Sequence, residues 1–397
     1  MGIKNMDKIK ELLTRGVENI YPTPGFLEKL LKSKKKLTIY TGYDPTAPTL
    51  HIGHGITMLK LRQFQNLGHK VIMLIGDFTG MIGDPTDKAS TRKQLTREQV
   101  LKNSKHYAGQ ASRILDFKDK NKVEVRYNND WLGEMKFKDV LELTSHFTVP
   151  RLLERDMFQA RLKKGETIHL HEFMYPVMQA YDSVVMNVDG EVGGNDQTFN
   201  MLAGRILMKE MKNKEKFVLT MKLLTDVSGK KMGKSEGNMV ALADSPEDMF
   251  GKVMSWPDEM IARGFELCTL VPMEDVESMK KEVKKNPRDL KLKLAYEVVK
   301  LFLGESAAEK GKEHFESVIV KKIAPKNIST YKLKDKNIVS VIDVLVESGL
   351  CKSKSEARRT IEQGGVSIGN KKVKSLEEKV TTGVLKKGKR HFVMIVK

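Results

Sequence analysis

The feature that most constrains the fold is an alternation. Through the first 225 or so residues, short apolar runs and longer amphipathic runs take turns: "KLTIYTGY" precedes a helix from about His54, "KVIMLIGD" precedes "TREQVLKNSKHYAGQASRIL", and "KVEVRYN" and "FVLTMKLL" follow. Strands separated by helices predict an α/β domain, a parallel sheet wrapped by helices. From about Ser245 to Ala324 the strand signals vanish, and segments such as "VESMKKEVKKNPRDLKLKLAYEVVKLFLG" carry helical spacing, so a separate helical domain is expected over 241–324. "PKNISTYKLKDKN", 325–337, is polar and basic and reads as a linker. Beyond it, 338–397 forms a compact α+β unit: a helix "SVIDVLVES" closed by Gly349, Ser353 and Glu356 in capping-box spacing, "ARRTIEQ" closed by Gly364 and Gly365, and a hairpin "VSIGNKKV" turning at Gly369 and Asn370.

Length and charge narrow the function classes. With 397 residues, 40% hydrophobic and 30% charged, the chain can bury a real core and divide into two or three domains. The charged start "MGIKNMDKIKELL" and the lack of any apolar stretch of membrane-spanning length predict a cytoplasmic protein. Cys268 and Cys351 stand far apart without a C-x-x-C pattern, so plain buried thiols are expected and a cysteine-based metal site is not. A formal charge of +19 favours polyanionic partners, although a merely well-solvated lysine-rich surface has the same composition. Placement favours RNA: from Asn337 onward there are thirteen Lys plus Arg against six Asp plus Glu, with Lys352, Lys354, Arg358 and Arg359 crowding the start of one helix.

The stretch "YTGYDPTAPTLHIGH", Tyr40 to His54, sets two imidazoles three residues apart at a strand-to-helix passage. As metal ligands they lack a third partner nearby; as surface residues they would need no particular context. Their context is a loop at a strand's carboxyl end, with Gly53 permitting close approach and a helix beginning. Imidazole donors beside a helix amino terminus favour phosphate. Far downstream, "SGKKMGKSEGN" places Lys231 and Lys234 among glycines, a cationic loop able to close over a triphosphate or simply a solvated turn.

"HIGH" at 51–54 and Lys-Met-Gly-Lys-Ser at 231–235 resemble the two signatures of class I aminoacyl-tRNA synthetases, the second with Gly233 where serine is usual. "YTGYDPTAPTLHIGH", "GDFTGMIGDPT", "YPVMQAYDS" and "GGNDQ", in that order, resemble blocks of the tyrosyl-tRNA synthetase family over essentially the whole chain. The resemblance implies a Rossmann-like catalytic domain over 1–240, a dimer-forming insertion at about 120–170 around "LTSHFTVPRLLERDMFQARL", anticodon-side helices, and an S4-like RNA-binding domain. It implies activation of L-tyrosine with ATP and Mg2+, transfer of the tyrosyl group to tRNA(Tyr), and a homodimer.

For individual residues, the resemblance implies that Tyr40 and Asp182 bind the phenolic hydroxyl and that Tyr175 and Gln179 hold the ammonium with Asp84. Gln197 would approach the carboxyl group and Asp196 the ribose. Thr46 and His51 would meet the leaving phosphates, Gly53 and His54 the adenosine side, with Lys231 and Lys234 closing over pyrophosphate and Lys88 and Arg92 as a second cationic patch. Tyr175, Gln179 and Asp182 are spaced i, i+4, i+7 and share one helix face if Pro176 lies in a first turn. A site built for a phenol rejects phenylalanine by about 10⁴ to 10⁵ without editing, a magnitude established for this family's own choice of substrate. Two rivals stand behind this expectation: a tryptophanyl-tRNA synthetase, and a non-catalytic RNA-binding protein on a synthetase fold.

Overall fold

The structure, a computed structural model, describes residues 3–85, 94–225, 239–320, 329–333, 339–369, 371–388 and 391–396. Six strands form the larger sheet: β1 (Val17–Tyr21), β2 (Thr38–Tyr43), β3 (Lys70–Ile75), β4 (Glu124–Tyr127), β5 (Gly190–Gly194) and β6 (Phe217–Met221). Their order is β1-β6-β5-β2-β3-β4, parallel from β6 to β4 with β1 antiparallel at the edge. The four strands expected from the sequence all lie in it. β5 was not signalled, because "GEVGG" has little strand propensity. Its glycines serve packing instead: a Cβ at Gly190 would fall 2.0 Å from the Phe217 ring.

From β2 the chain first builds outward to β3 and β4, then returns to add β5 and β6 on the other side. A crevice is expected where the winding reverses, between β2 and β5. β2 pairs with β3 along its whole length, from Thr38 to Tyr43, but with β5 only at Ile39↔Gly190 and Tyr40↔Glu191. Beyond Tyr40 the two strands part.

Four helices matter for the site: α1 (Ile3–Thr14), α2 (Ile52–Asn66), α3 (Leu170–Val185) and α4 (Thr198–Lys212). The helical run expected after β3 is broken into Arg97–Ser104 and Tyr107–Ala111. Pro176 does not sit in a first turn; it lies inside α3 as its seventh residue. The helix begins earlier because the Glu172 carboxylate accepts the His169 N–H at 2.8 Å and pairs with Arg161 at 2.5 Å, anchoring the start. The proline then costs one backbone hydrogen bond without ending the helix.

The chain divides into two compact units, 1–245 with 252–305, and 246–251 with 306–397. The helices expected as a separate domain over 241–324 are therefore shared out, and those between 252 and 305 belong with the sheet. Long-range donors explain this. Arg15, just after α1, donates to the carbonyls of Phe265, Glu266, Thr269 and Val271 at 2.5–3.0 Å, around the end of the helix Met260–Cys268. Carbonyls at a helix end have no intrahelical partner, and a buried guanidinium satisfies several at once. Phe302 adds a further contact, its ring so near α2 that a Cβ at Gly55 would meet it at 2.7 Å.

In the second unit, β9 (Val366–Ile368), β10 (Lys371–Lys372), β12 (Gly383–Lys387) and β13 (His391–Val396) pair antiparallel, and β7 (Ser329–Lys332) adds in parallel to β13. The stretch read as a linker thus supplies an edge strand, since Thr330 and Tyr331 have a neighbouring ladder to satisfy their backbone. β8 (Val339–Ser340) and β11 (Lys379–Val380) form a small second ladder. The helices Val341–Glu347 and Lys354–Glu362 bury Val344, Leu345, Ala357 and Ile361 against Leu385 and Val393. Gly349 and Gly364 end them at φ of 77° and 67°, where a side chain would be strained. Cys268 and Cys351 are buried free thiols. Among the described residues no helix is long and apolar enough to cross a membrane.

Candidate functional site

The site lies at the carboxyl ends of β2 and β5, where the strands diverge. β2 presents Tyr40 and runs into Asp44; β5 presents Glu191 and runs into Asp196 and Gln197; α3 crosses with Tyr175, Gln179 and Asp182. Tyr40 is fully buried, and its hydroxyl lies 2.9 Å from Ser183 Oγ and 3.5 Å from the Gln179 carbonyl. Asp182 is 2% exposed, with Trp131 Nε1 donating to one carboxylate oxygen at 2.8 Å and Asn128 Nδ2 to the other at 3.3 Å. Burial raises the Asp182 pKa well above the usual carboxylate value, against the pull of those two donors, with Glu191 and Asp44 pushing the same way as burial. Burial, helped by the charges of Glu191 and Asp182, likewise raises the Tyr40 hydroxyl.

Tyr175 donates to Asp44 at 2.8 Å, and Asp44 also accepts from Thr79 at 2.7 Å. The Tyr175 hydroxyl is pushed up by burial and then by Asp44 and Asp84, so several carboxylates converge on one point. Such a cluster attracts a cation. Gln179 Nε2 donates to Glu191 at 2.9 Å, which turns its amide oxygen to the other side as an acceptor. Asp84 accepts from Gln197 at 2.7 Å and meets Arg155 at 3.4 Å.

The two histidines sit at the start of α2. His51 caps the helix, its Nδ1 accepting the Gly53 N–H at 3.1 Å, while His54 Nδ1 accepts the His51 N–H at 3.1 Å. The rings stack with centroids 3.8 Å apart. Gly53 permits this, because a Cβ there would lie 2.9 Å from the His51 ring. With each Nδ1 accepting, the neutral rings carry their protons on Nε2, as donors rather than metal ligands. Burial, then His51, lowers the His54 pKa well below its ordinary value and keeps that ring neutral. Among the described residues no group of three or more His, Cys, Asp or Glu could hold a metal ion.

The same turn is tied to the chain far downstream. Ile52 N–H donates to Val240 O at 2.9 Å, Leu242 N–H donates to Leu50 O at 2.8 Å, and His51 bridges Ala241. Residues 240–242, a few positions after the lysine-rich sequence, are therefore anchored beside the imidazoles. The family described as "tRNA synthetases class I (W and Y)" matches residues 32–319, and the S4 domain family matches 341–385. The chain belongs to the class I tRNA synthetases.

Full-length relatives within that class are close. The chain is 41% identical to tyrosine–tRNA ligase 2 of Clostridium acetobutylicum, over 99% of this chain and 100% of that protein. It is 44% identical to tyrosine–tRNA ligase of Thermotoga maritima, over 97% and 96%. The structure resembles a C-terminally truncated mitochondrial tyrosyl-tRNA synthetase of Coccidioides posadasii, at TM-score 0.62 and 26% identity over 78% of this chain and 95% of that one.

The synthetase residues singled out from the sequence fall into four groups. Tyr40, Tyr175, Gln179, Asp182, Asp84 and Gln197 share the hydrogen-bonded surroundings just described, while Thr46, His51, Gly53 and His54 lie on the loop and helix start after β2, and Asp196 on the turn after β5. Lys88, Arg92, Lys231, Gly233 and Lys234 lie outside the described residues. Lys352, Lys354, Arg358 and Arg359 are exposed on the second unit, Lys354 pairing with Asp343 at 2.8 Å. The structure adds Asp44, Asn128, Trp131, Ser183, Glu191 and Lys216. Asp44 lies inside the quoted "YTGYDPT" block and was legible; Lys216 and Trp131 come from distant segments with no local signal.

Proposed function

We propose that the chain is a tyrosine–tRNA ligase. It activates L-tyrosine with ATP to tyrosyl-adenylate and pyrophosphate, then transfers the tyrosyl group to the 3′ end of tRNA(Tyr). The observation that carries this reading is the parting of β2 and β5 beyond Tyr40, where Tyr40 and Asp182 are buried beside the carboxylates around Tyr175. A phenol suits the first pair and an ammonium the second. Tyr175, Gln179 through its amide oxygen, and Asp84 hold the ammonium; Gln197 approaches the carboxylate; Asp196 takes the ribose.

A tyrosine carboxylate oxygen attacks the α-phosphorus, and the bond to the β-phosphate breaks as pyrophosphate leaves. The tRNA's terminal ribose hydroxyl then attacks the acyl carbon and AMP departs. The protein's part is positioning and charge stabilisation. His51 and Thr46 meet the leaving phosphates through donors, Gly53 and His54 lie along the adenosine, and Lys231 with Lys234 closes over the pyrophosphate. The pairing of 240–242 with 50–52 supports this last role, because it ties the chain a few residues after Lys234 to the helix start. Lys88 and Arg92 form a second cationic patch. Magnesium would accompany the ATP, entering with the phosphates and neutralising part of their charge rather than being held by a protein cage.

Lys352, Lys354, Arg358 and Arg359 bind the tRNA backbone. The working form is a cytoplasmic homodimer joined through the insertion, where Phe137, Leu141 and Val149 are 78%, 56% and 64% exposed, an apolar surface costly to leave in water. The decisive assay is exchange of labelled pyrophosphate into ATP. It requires tyrosine and needs no RNA; an inert protein that bound RNA would overturn the reading.

A further inference from the structure

Beneath the tyrosine pocket lies a buried ion pair that none of the roles above uses. Lys216, fully buried at the start of the segment entering β6, contacts the carboxylate of Glu191, which is 1% exposed. Lys216 also donates to Ser183 Oγ at 2.8 Å and lies 5.7 Å from the centre of the Tyr40 ring. A pair of apolar residues would hold the sheet together at lower desolvation cost, so packing alone is a poor reason for burying two charges here.

The hydrogen-bond inventory gives the pair a direction. An ammonium only donates, so Ser183 Oγ accepts from Lys216. Ser183 is fully buried, and its own hydrogen has one acceptor in the network, Tyr40 Oη at 2.9 Å. Were Tyr40 to donate to Ser183 instead, the serine hydrogen would be left unpaired in the interior. Tyr40 Oη therefore accepts from Ser183, and its own hydrogen is left to the Gln179 carbonyl at a long 3.5 Å or to the Glu191 carboxylate, which Gln179 and Lys216 already engage. On the other side, Glu191 takes the Gln179 amide N–H at 2.9 Å and so aims that residue's oxygen outward.

We propose that Lys216, Glu191 and Ser183 are positioning residues for substrate choice: together they set the Tyr40 hydroxyl as a donor toward the substrate's phenolic oxygen. The phenol then accepts from Tyr40 and donates to Asp182, whose oxygens Trp131 and Asn128 hold in place. Phenylalanine offers neither the acceptor for Tyr40 nor the donor for Asp182. The inference rests on the tyrosine-activating reading and deepens it.

The test is pyrophosphate exchange with the full chain, comparing tyrosine with phenylalanine. Ser183→Ala lowers the tyrosine-over-phenylalanine ratio of kcat/KM by about 10- to 100-fold, through KM for tyrosine, while KM for ATP holds. Lys216→Met with Glu191→Gln removes both charges together and lowers the ratio similarly. Adding Ser183→Ala to that pair produces no further loss, because all three act in one chain. A filler role would slow both amino acids alike. A ratio within about twofold of the parent in a Ser183→Ala protein of unchanged circular dichroism and melting overturns the relay, as do losses that multiply when combined. If the parent itself shows no tyrosine-dependent exchange, the functional reading falls and the relay with it. Exchange by the parent with an unmoved ratio in the variants sinks the relay alone.

Discussion

Tyr40 and Asp182, proposed as the phenol-binding pair, are buried polar groups whose partners matter. In water either group would trade a lost partner for solvent; at full burial it cannot. Tyr40→Phe therefore lowers kcat/KM for tyrosine by about tenfold, and Asp182→Ala by at least about 100-fold, each with little change in KM for ATP in steady-state exchange kinetics. Lys60 shows the same physics acting on stability. It is 2% exposed, donating to the carbonyls of Leu12 at 2.7 Å and Arg15 at 3.0 Å. Burial lowers its pKa from 10.5 to about 7, with Glu11 opposing and Arg15 adding. Between those values the unfolded chain binds more protons than the folded one, so this residue's contribution to stability rises with pH. It is complete above the unfolded value and lost as pH falls to about 7, with a slope of up to about 1.4 kcal/mol per pH unit. Denaturant melts from pH 7 to 10 on the parent and Lys60→Met check this: the variant lacks that part of the slope.

Among the elements, β5 is the one whose sequence argues against its structure. Three glycines in five residues are weak strand formers, yet Gly190 is where Phe217 of β6 finds room, and Phe217 in turn stacks on Phe64 of α2 with centroids 5.8 Å apart. Gly190→Ala overpacks this contact and costs about 1–3 kcal/mol in urea melts, and Phe217→Val in the same chain recovers part of the loss. If Gly190→Ala melts like the parent, the glycine is not there for the ring. In the second unit, Ser353 Oγ accepts the Glu356 N–H at 3.2 Å at the start of the helix carrying the basic side chains. Ser353→Ala costs about 1 kcal/mol, read by denaturation followed through amide exchange in that helix.

For the whole molecule, the basic part of the second unit beyond Val320 predicts a separable task. A chain ending at Val320 retains tyrosine-dependent pyrophosphate exchange but loses charging efficiency on tRNA, chiefly as a higher KM for tRNA. In the full chain that KM rises steeply with salt, as expected when lysines and arginines displace counterions from phosphates. Equal salt dependence in the full and shortened chains would remove the segment after Val320 from the interaction. The exposed apolar side chains of the insertion predict that Phe137→Glu with Leu141→Glu lowers the molar mass seen by light scattering to that of one chain.

Read alone, the sequence determined the strand-and-helix succession, the basic carboxyl-terminal unit, and the blocks that carry the family resemblance, because periodicity, capping and motif spacing are local properties of the chain. Asp44 was within reach of that reading, lying inside a quoted block. The tertiary structure decided what is not local: which strands part beyond Tyr40, why Arg15 draws the helix Met260–Cys268 onto the sheet, that Ser329–Lys332 pairs as a strand, and that Lys216 sits under Tyr40. A buried donor takes whichever acceptor the fold brings to it, and a separation of 250 residues between Arg15 and Phe265 leaves no trace in either local sequence.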